Sequence, residues 1–151
     1  LSGLTAAHAF LVAKCVSAIP PAWTRTGLWT LGGHAYASHM VWTDNTTMDD
    51  FGSDTRSTPA APVATITNPF CYEVRAASGS WNSSINGTSQ SSRASNTVAW
   101  TATAELGGDT GVGVYFDGHV AELVIYRRLL ENHERRALVD YFNARYALGM
   151  T

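Results

Sequence analysis

Carboxylate side chains are concentrated in one polar stretch of the chain, residues 44–54, and their type suggests metal chemistry. Asp44, Asp49, Asp50 and Asp54 supply the hard oxygen ligands that calcium prefers, although their spacing is not that of an EF-hand loop. A solvated acidic loop with turn-forming residues is the simpler interpretation. A calcium site formed by these four aspartates is the functional hypothesis.

Several aromatic residues are followed closely by a polar side chain that could bond a sugar hydroxyl. A flat ring can stack on the face of a sugar while a neighbouring amide or carboxylate fixes its orientation. Any of these rings could equally lie in the core, and Trp29 and Trp100 are predicted to be buried. The candidate glycan-binding residues are Trp42 with Asp44 and Asn45, Trp81 with Asn82, and Tyr115 with Asp117.

Arrangements typical of catalysis are not found in the sequence. Glycosidases need two carboxylates that flank the scissile bond, whereas Glu73 and Glu122 each stand alone in an apolar run. Residues 77–80 have turn chemistry and form no nucleophile elbow, and residues 133–137 lack the second histidine of a zinc-protease helix. The sequence therefore predicts that the chain is not an enzyme.

The composition limits the class of protein. With 151 residues, of which 45% are hydrophobic, the chain is long enough to bury a sizeable core in one domain. A net charge of -2 argues against nucleic-acid binding, and no stretch is apolar enough for membrane insertion. Since residues 1–151 show neither an initiator Met nor a signal-peptide pattern, we expect a single domain taken from a longer protein.

Most of the chain has the pattern of short strands separated by turns. Residues 7–16 form an apolar run that predicts a buried strand, and residues 35–43 alternate as a half-buried strand does. Residues 43–69 are predicted to be a long loop, and residues 88–95 a polar link after the tight turn Asn86-Gly87. The two cysteines, Cys15 and Cys71, lie in apolar runs and are predicted to be buried free thiols.

The hydrophobic period changes at the end of the chain. After an apolar strand pattern at 120–126, large apolar residues recur at three- and four-residue steps, which predicts a helix over about 132–146. The residues that set this period are Leu138, Tyr141, Phe142 and Tyr146. An isolated helix of this length is marginal in water, so we expect it to dock on the sheet.

A distinctive run closes the strand-rich part: Phe116-Asp117-Gly118, then Ala121-Glu122, then Tyr126, Arg128 and Leu130. Together with Leu106-Gly107-Gly108 upstream and Glu134-Arg135 downstream, this run resembles the end of concanavalin A-like, laminin-G-like domains. The resemblance covers residues 106–148 and extends back to Phe70. The chain departs from the family at Glu131, where a serine or threonine usually caps the helix.

This resemblance implies an all-β fold: a two-sheet antiparallel β-sandwich of the jelly-roll type with one C-terminal α-helix. Domains of this kind are common in extracellular adhesins, glycan-binding modules and phage or viral surface proteins. We therefore expect a binding or attachment module at an extracellular, cell or virion surface that recognises carbohydrate at the rim or face of the sandwich. The alternative is a structural virion component, such as a capsid decoration, fibre or tail module, that acts through protein contacts. In either case the chain could also form a homo-oligomer.

Overall fold

Ten strands and one α-helix make up the part of the chain that the computed structural model describes, residues 1–58 and 60–151. The strands are β1 (Ala6–Cys15), β2 (Gly27–Gly32), β3 (Ser38–His39), β4 (Phe70–Ala77), β5 (Ser80–Ile85), β6 (Thr88–Arg93), β7 (Trp100–Leu106), β8 (Gly108–Asp109), β9 (Val114–Tyr115) and β10 (Gly118–Tyr126). A 3₁₀ turn at Trp23–Arg25 precedes β2, and the helix α1 spans Asn132–Tyr146. No helix within these residues is long and apolar enough to cross a membrane.

The strands form two main sheets. The larger sheet has the order β10-β1-β4-β5-β6 with antiparallel pairing throughout, the smaller has the order β3-β2-β7, and β8 pairs with β9. This arrangement confirms the prediction of a mostly β fold with one helix, and it fits a β-sandwich. The turn predicted at Asn86-Gly87 joins β5 to β6, and both of its residues have the positive φ that such turns require.

The five-stranded sheet is covered on both faces near β1. In a pleated strand alternate side chains point to opposite faces. Leu11 accordingly packs in the main core with Trp29 of the small sheet, whereas Phe10 and Val12 pack with Phe142 of α1. The continuous apolar run of β1 is therefore explained by two packing partners.

A buried cluster of polar side chains fastens α1 to the sheet. Arg135 donates two hydrogen bonds of 2.7 Å to the two carboxylate oxygens of Glu73, and His8 Nε2 lies 2.9 Å from Glu73 Oε1. The backbone N–H of Leu130 donates to His8 Nδ1, so the second ring nitrogen also has a partner. Burial by itself would raise the pKa of Glu73, but the hydrogen bonds from His8 and Arg135 outweigh it and lower the pKa to about 2.

The two cysteines are free thiols on opposite faces of the five-stranded sheet. Cys15 lies in the main core, and Cys71 lies in the cluster beneath α1. Burial is the main cause that raises the pKa of each thiol to about 12. Neither thiol is therefore ionised near neutral pH.

Two segments differ from their predicted secondary structure. Within residues 35–43 only Ser38–His39 pairs as a strand. On one side the Ala37 carbonyl accepts a hydrogen bond from the Arg56 side chain, and on the other a tight turn begins at Trp42. Residues 88–93, predicted as part of a polar link, form the edge strand β6. Its residues are all polar and do not alternate with apolar ones, so the sequence does not predict a strand here.

Candidate functional site

A pocket of about 340 Å³ lies beside β3 and is lined mainly by aromatic and apolar side chains. Its volume falls within the range of roughly 300–1,000 Å³ that is usual for small-molecule sites. Trp23 is 50% exposed and Tyr36 is 57% exposed, so both rings are accessible from solvent. The lining residues are Trp23, Tyr36, Ala37, His39, Trp42, Arg56, Val112 and Val114.

Short turns hold the two tryptophans of the pocket at the surface. Trp23 opens the 3₁₀ turn before β2, and its carbonyl accepts a hydrogen bond from the Thr26 hydroxyl. Trp42 begins a turn that is closed by the N–H of Asn45, which donates to the Trp42 carbonyl at 2.9 Å. Because these turns lie outside the sheets, the rings of Trp23 and Trp42 do not pack between them in the core.

His39 forms the floor against which Trp42 packs. The two ring centroids are 4.7 Å apart, and His39 Nδ1 lies 3.0 Å from the hydroxyl of Thr26. Burial, followed by the charge of Arg56, lowers the pKa of His39 to about 4. The imidazole is therefore neutral near pH 7 and contributes a polar edge without charge.

Arg56 is the one positively charged residue among those that line the pocket. Its guanidinium lies 5.6 Å from the centre of the Tyr36 ring and donates to the Ala37 carbonyl, so it orders the loop that carries Tyr36. The Nε–H is buried and has no partner within the described residues. Nη1 and Nη2 each have one N–H beyond their contacts with Met48 Sδ and the Ala37 carbonyl. The pocket thus combines flat aromatic faces with guanidinium donors, which suits a small ligand that has an apolar face and hydrogen-bond acceptors.

Of the glycan-binding group predicted around Trp42, only Trp42 itself lines the pocket. Asp44 lies in the adjoining exposed turn, where its carboxylate accepts hydrogen bonds from the N–H and hydroxyl of Thr46 at 3.0 and 2.6 Å. These bonds lower the pKa of Asp44. Asn45 occupies the same turn with a φ of 69°, so it serves the backbone turn.

Trp81 lies in the core, so its ring has no exposed surface for the stacking on sugar that the sequence predicts. Its side chain is 1% exposed, and its indole N–H donates to the Phe51 carbonyl at 2.9 Å. Asn82 follows it on β5 and therefore points to the opposite face of the sheet, where it accepts a hydrogen bond of 2.7 Å from Ser92. Two consecutive strand residues cannot hold the same sugar ring.

Tyr115 and Asp117, the third predicted pair, do not line the aromatic pocket. Tyr115 is exposed at the end of β9. Asp117 accepts a hydrogen bond of 3.1 Å from Arg25 in an exposed ion pair. A role for this pair in ligand binding stays a prediction.

The four aspartates proposed as calcium ligands do not converge. Asp49 and Asp50 are buried, and Asp49 accepts hydrogen bonds from the side chains of Trp29 and Tyr72. Asp44 and Asp54 lie in exposed turns, and within the part of the chain described no three histidine, cysteine or acidic side chains are grouped to hold a metal. Burial of the two central carboxylates, which the loop composition does not reveal, accounts for the difference. Within the described residues, the four predicted calcium ligands are therefore not grouped around one point.

Sequence reasoning missed three of the residues that form the pocket: Trp23, Tyr36 and Arg56. They come from separate segments of the chain and carry no shared spacing. The two consecutive prolines before Trp23 are the only local signal that this tryptophan lies outside a strand. The grouping itself depends on the tertiary fold.

Known structures resemble this chain in fold. Trypanosoma rangeli sialidase in complex with sialic acid superimposes with a TM-score of 0.62 at 16% identity, over 89% of this chain and 22% of the sialidase chain. The same enzyme with the inhibitor DANA gives a TM-score of 0.57 at 16% identity, over 88% and 22%. No family model matches the sequence, and no curated protein matches it.

These comparisons contradict the prediction that the chain is not an enzyme, because the structures that it resembles are those of sialidases. At 16% identity the likeness shows the fold alone. The chain spans about a fifth of the sialidase chain, so it corresponds to a part of that larger protein.

Proposed function

We propose that this chain is a carbohydrate-binding module with a concanavalin A-like, laminin-G-like jelly roll, and that it binds sugar in the aromatic pocket. The observation that carries the proposal is the convergence of Trp23, Tyr36 and Trp42 around the guanidinium of Arg56. Glycans displayed at an extracellular, cell or virion surface are the corresponding targets.

The chemistry of the pocket matches the two-sided nature of a sugar. One face of a pyranose presents C–H groups that pack on an aromatic ring, while its hydroxyl and carboxylate oxygens accept hydrogen bonds. Trp23 and Tyr36 offer exposed ring surface, and Arg56 supplies donors beside them. The likeness in fold to a part of a sialidase studied in complex with sialic acid agrees with a ligand of this class.

A glycan array tests the proposal when wild-type protein and Trp42→Ala are compared on the same slide. We expect specific binding by the wild type and a loss of about tenfold or more in the variant, because one stacking surface is removed. Tyr141→Ala is the matched control, since Tyr141 is an exposed aromatic residue of α1 on the other side of the large sheet. A chelator should leave the wild-type signal unchanged, because the predicted calcium ligands do not meet.

Two results would contradict this function. Glycan binding that Trp42→Ala leaves intact would exclude the aromatic pocket as the sugar site. If folded wild-type protein bound no glycan on the array, this result would favour the alternative of a structural surface or virion module that binds a neighbouring protein. The partner would then be sought among proteins.

A further inference from the structure

A second concavity, a polar groove of about 190 Å³, lies on the opposite side of the five-stranded sheet from the aromatic pocket. One wall is the side chain of Arg135 on α1, and the floor is formed by β4, β5 and β6. The lining residues are Glu73, Arg75, Asn82, Ser83, Ser84, Gly87, Ser89, Ser92 and Arg135.

The groove exists because α1 covers only part of its face of the sheet. Over β1 and the start of β4 this face is apolar and packs against Phe142. Farther out, the same face carries short polar side chains, among them Asn82, Ser84 and Ser92. Short side chains beside a helix leave a depression, and their hydroxyl and amide groups line it with hydrogen-bonding capacity.

Among the described residues that line the groove, one positive charge has no neutralising partner. The carboxylate of Glu73 is bonded to Arg135, so these two charges offset each other. Burial is the main cause that lowers the pKa of His8, which keeps this neighbour neutral near pH 7. Arg75 lies two residues from Glu73 on β4, is half-buried, and has no hydrogen bond or ion pair within residues 1–58 and 60–151.

We infer that this groove binds a monosaccharide that carries a carboxylate, with the guanidinium of Arg75 as the carboxylate partner. A guanidinium and a carboxylate match in charge and in fork geometry. The hydroxyls of Ser84 and Ser92 donate to Glu73 and Asn82, and their oxygens can still accept hydrogen bonds from a sugar. The amide of Asn82 donates one N–H to Ser80 and has a second N–H for a sugar oxygen. The volume is below that of most drug-sized pockets, which favours one ring over a chain of sugars.

The site differs from the proposed aromatic site in chemistry as well as in place. It offers no aromatic surface, so a neutral sugar gains little from it beyond hydrogen bonds that water also makes. An anion gains the charge of a half-buried arginine that is partly withdrawn from solvent screening. We therefore expect this groove to distinguish acidic from neutral sugars.

Titration of ¹⁵N-labelled protein with glucuronate, glucose and acetate, followed by NMR, tests the inference. Glucuronate should shift the backbone amide signals of Gly87, Ser89 and Ser92. Glucose, which lacks the carboxylate, and acetate, which lacks the ring hydroxyls, should each bind about tenfold more weakly or worse. Equal binding of glucose and glucuronate would overturn the role of the charge, and equal binding of acetate would overturn recognition of the sugar ring.

Arg75→Gln provides the decisive variant. It should remove the preference for glucuronate, whereas Arg127→Gln should retain it, since Arg127 is an exposed arginine that follows β10 at the far edge of the sheet. Unchanged glucuronate binding in Arg75→Gln would overturn the inference. So would a loss of this binding in Trp42→Ala but not in Arg75→Gln, which would assign the acidic sugar to the aromatic pocket. Because the array test uses Trp42 and this one uses Arg75, each proposal can fail without the other.

Discussion

At the scale of single residues, the buried pair Asp49 and Asp50 shares one serine. The hydroxyl of Ser38 lies 2.6 Å from Asp49 Oδ1 and 2.7 Å from Asp50 Oδ1, but it has only one proton to donate. A proton on Asp50 would satisfy both contacts, with Asp50 donating to Ser38 and Ser38 donating to Asp49. Burial first, and then the charge of Asp49, raise the pKa of Asp50 to about 7.

This raised pKa predicts a measurable effect of pH on stability. Between an ordinary pKa of 3.8 and a folded-state pKa of about 7, the folded protein holds a proton that the unfolded chain releases. The stabilisation is therefore complete below about pH 4 and is lost as the pH rises through 7. In urea unfolding, the stability of wild type relative to Asp50→Asn should fall by on the order of 3 to 4 kcal/mol between pH 4 and 7.5. If the free energies of unfolding of the two proteins changed with pH in parallel, Asp50 would be ionised throughout this range and its pKa would not be raised.

Residue identity alone did not separate surface aromatics from buried ones. Trp42 and Trp81 each precede polar residues, yet Trp81 lies in the core and Trp42 lines a pocket. Strand parity would have indicated this difference, because Asn82 cannot share a face with Trp81. For the acidic loop no such rule exists, since the burial of Asp49 depends on Trp29 and Tyr72 from distant strands.

At the scale of elements, the docking of α1 rests on the pair formed by Glu73 and Arg135. The Glu73 side chain is 4% exposed and that of Arg135 is 25% exposed. Loss of the arginine would leave the buried carboxylate with His8 and Ser84 but without a permanently charged partner. The helix and strand β1 could be predicted from sequence because each has a strong period or an unbroken apolar run. The edge strand β6 could not, because an exposed serine-rich strand has the composition of a loop.

We predict that Arg135→Ala destabilises the protein by about 3 kcal/mol or more, the cost typical of removing one partner of a buried pair. Arg128→Ala is the control, because Arg128, which precedes α1, pairs with Glu134 in the first turn of α1 at an exposed site. Such surface pairs contribute about 1 kcal/mol or less. Urea unfolding of the three proteins measures both values. Equal losses in the two variants would mean that Glu73 is adequately solvated without Arg135.

At the scale of the whole molecule, the two candidate sites lie on opposite sides of one large sheet. The aromatic pocket gathers segments that precede, connect and follow the strands of the small sheet, and the polar groove borders α1. Neither grouping could be predicted from the sequence, because each joins residues that are far apart in the chain. The all-β architecture could be predicted from the sequence, since it depends on local strand and turn patterns that recur along the chain.

Binding of sugar in the aromatic pocket is tested most directly by the indole N–H signals of the five tryptophans during titration with a glycan identified on the array. Three indoles donate to fixed partners within the protein: Trp29 to Asp49, Trp81 to Phe51 and Trp100 to Leu4. We predict that only the signals of Trp23 and Trp42 shift, and that both reach saturation together. Shifts that spare these two tryptophans, or that spread over all five, would contradict a sugar site in this pocket.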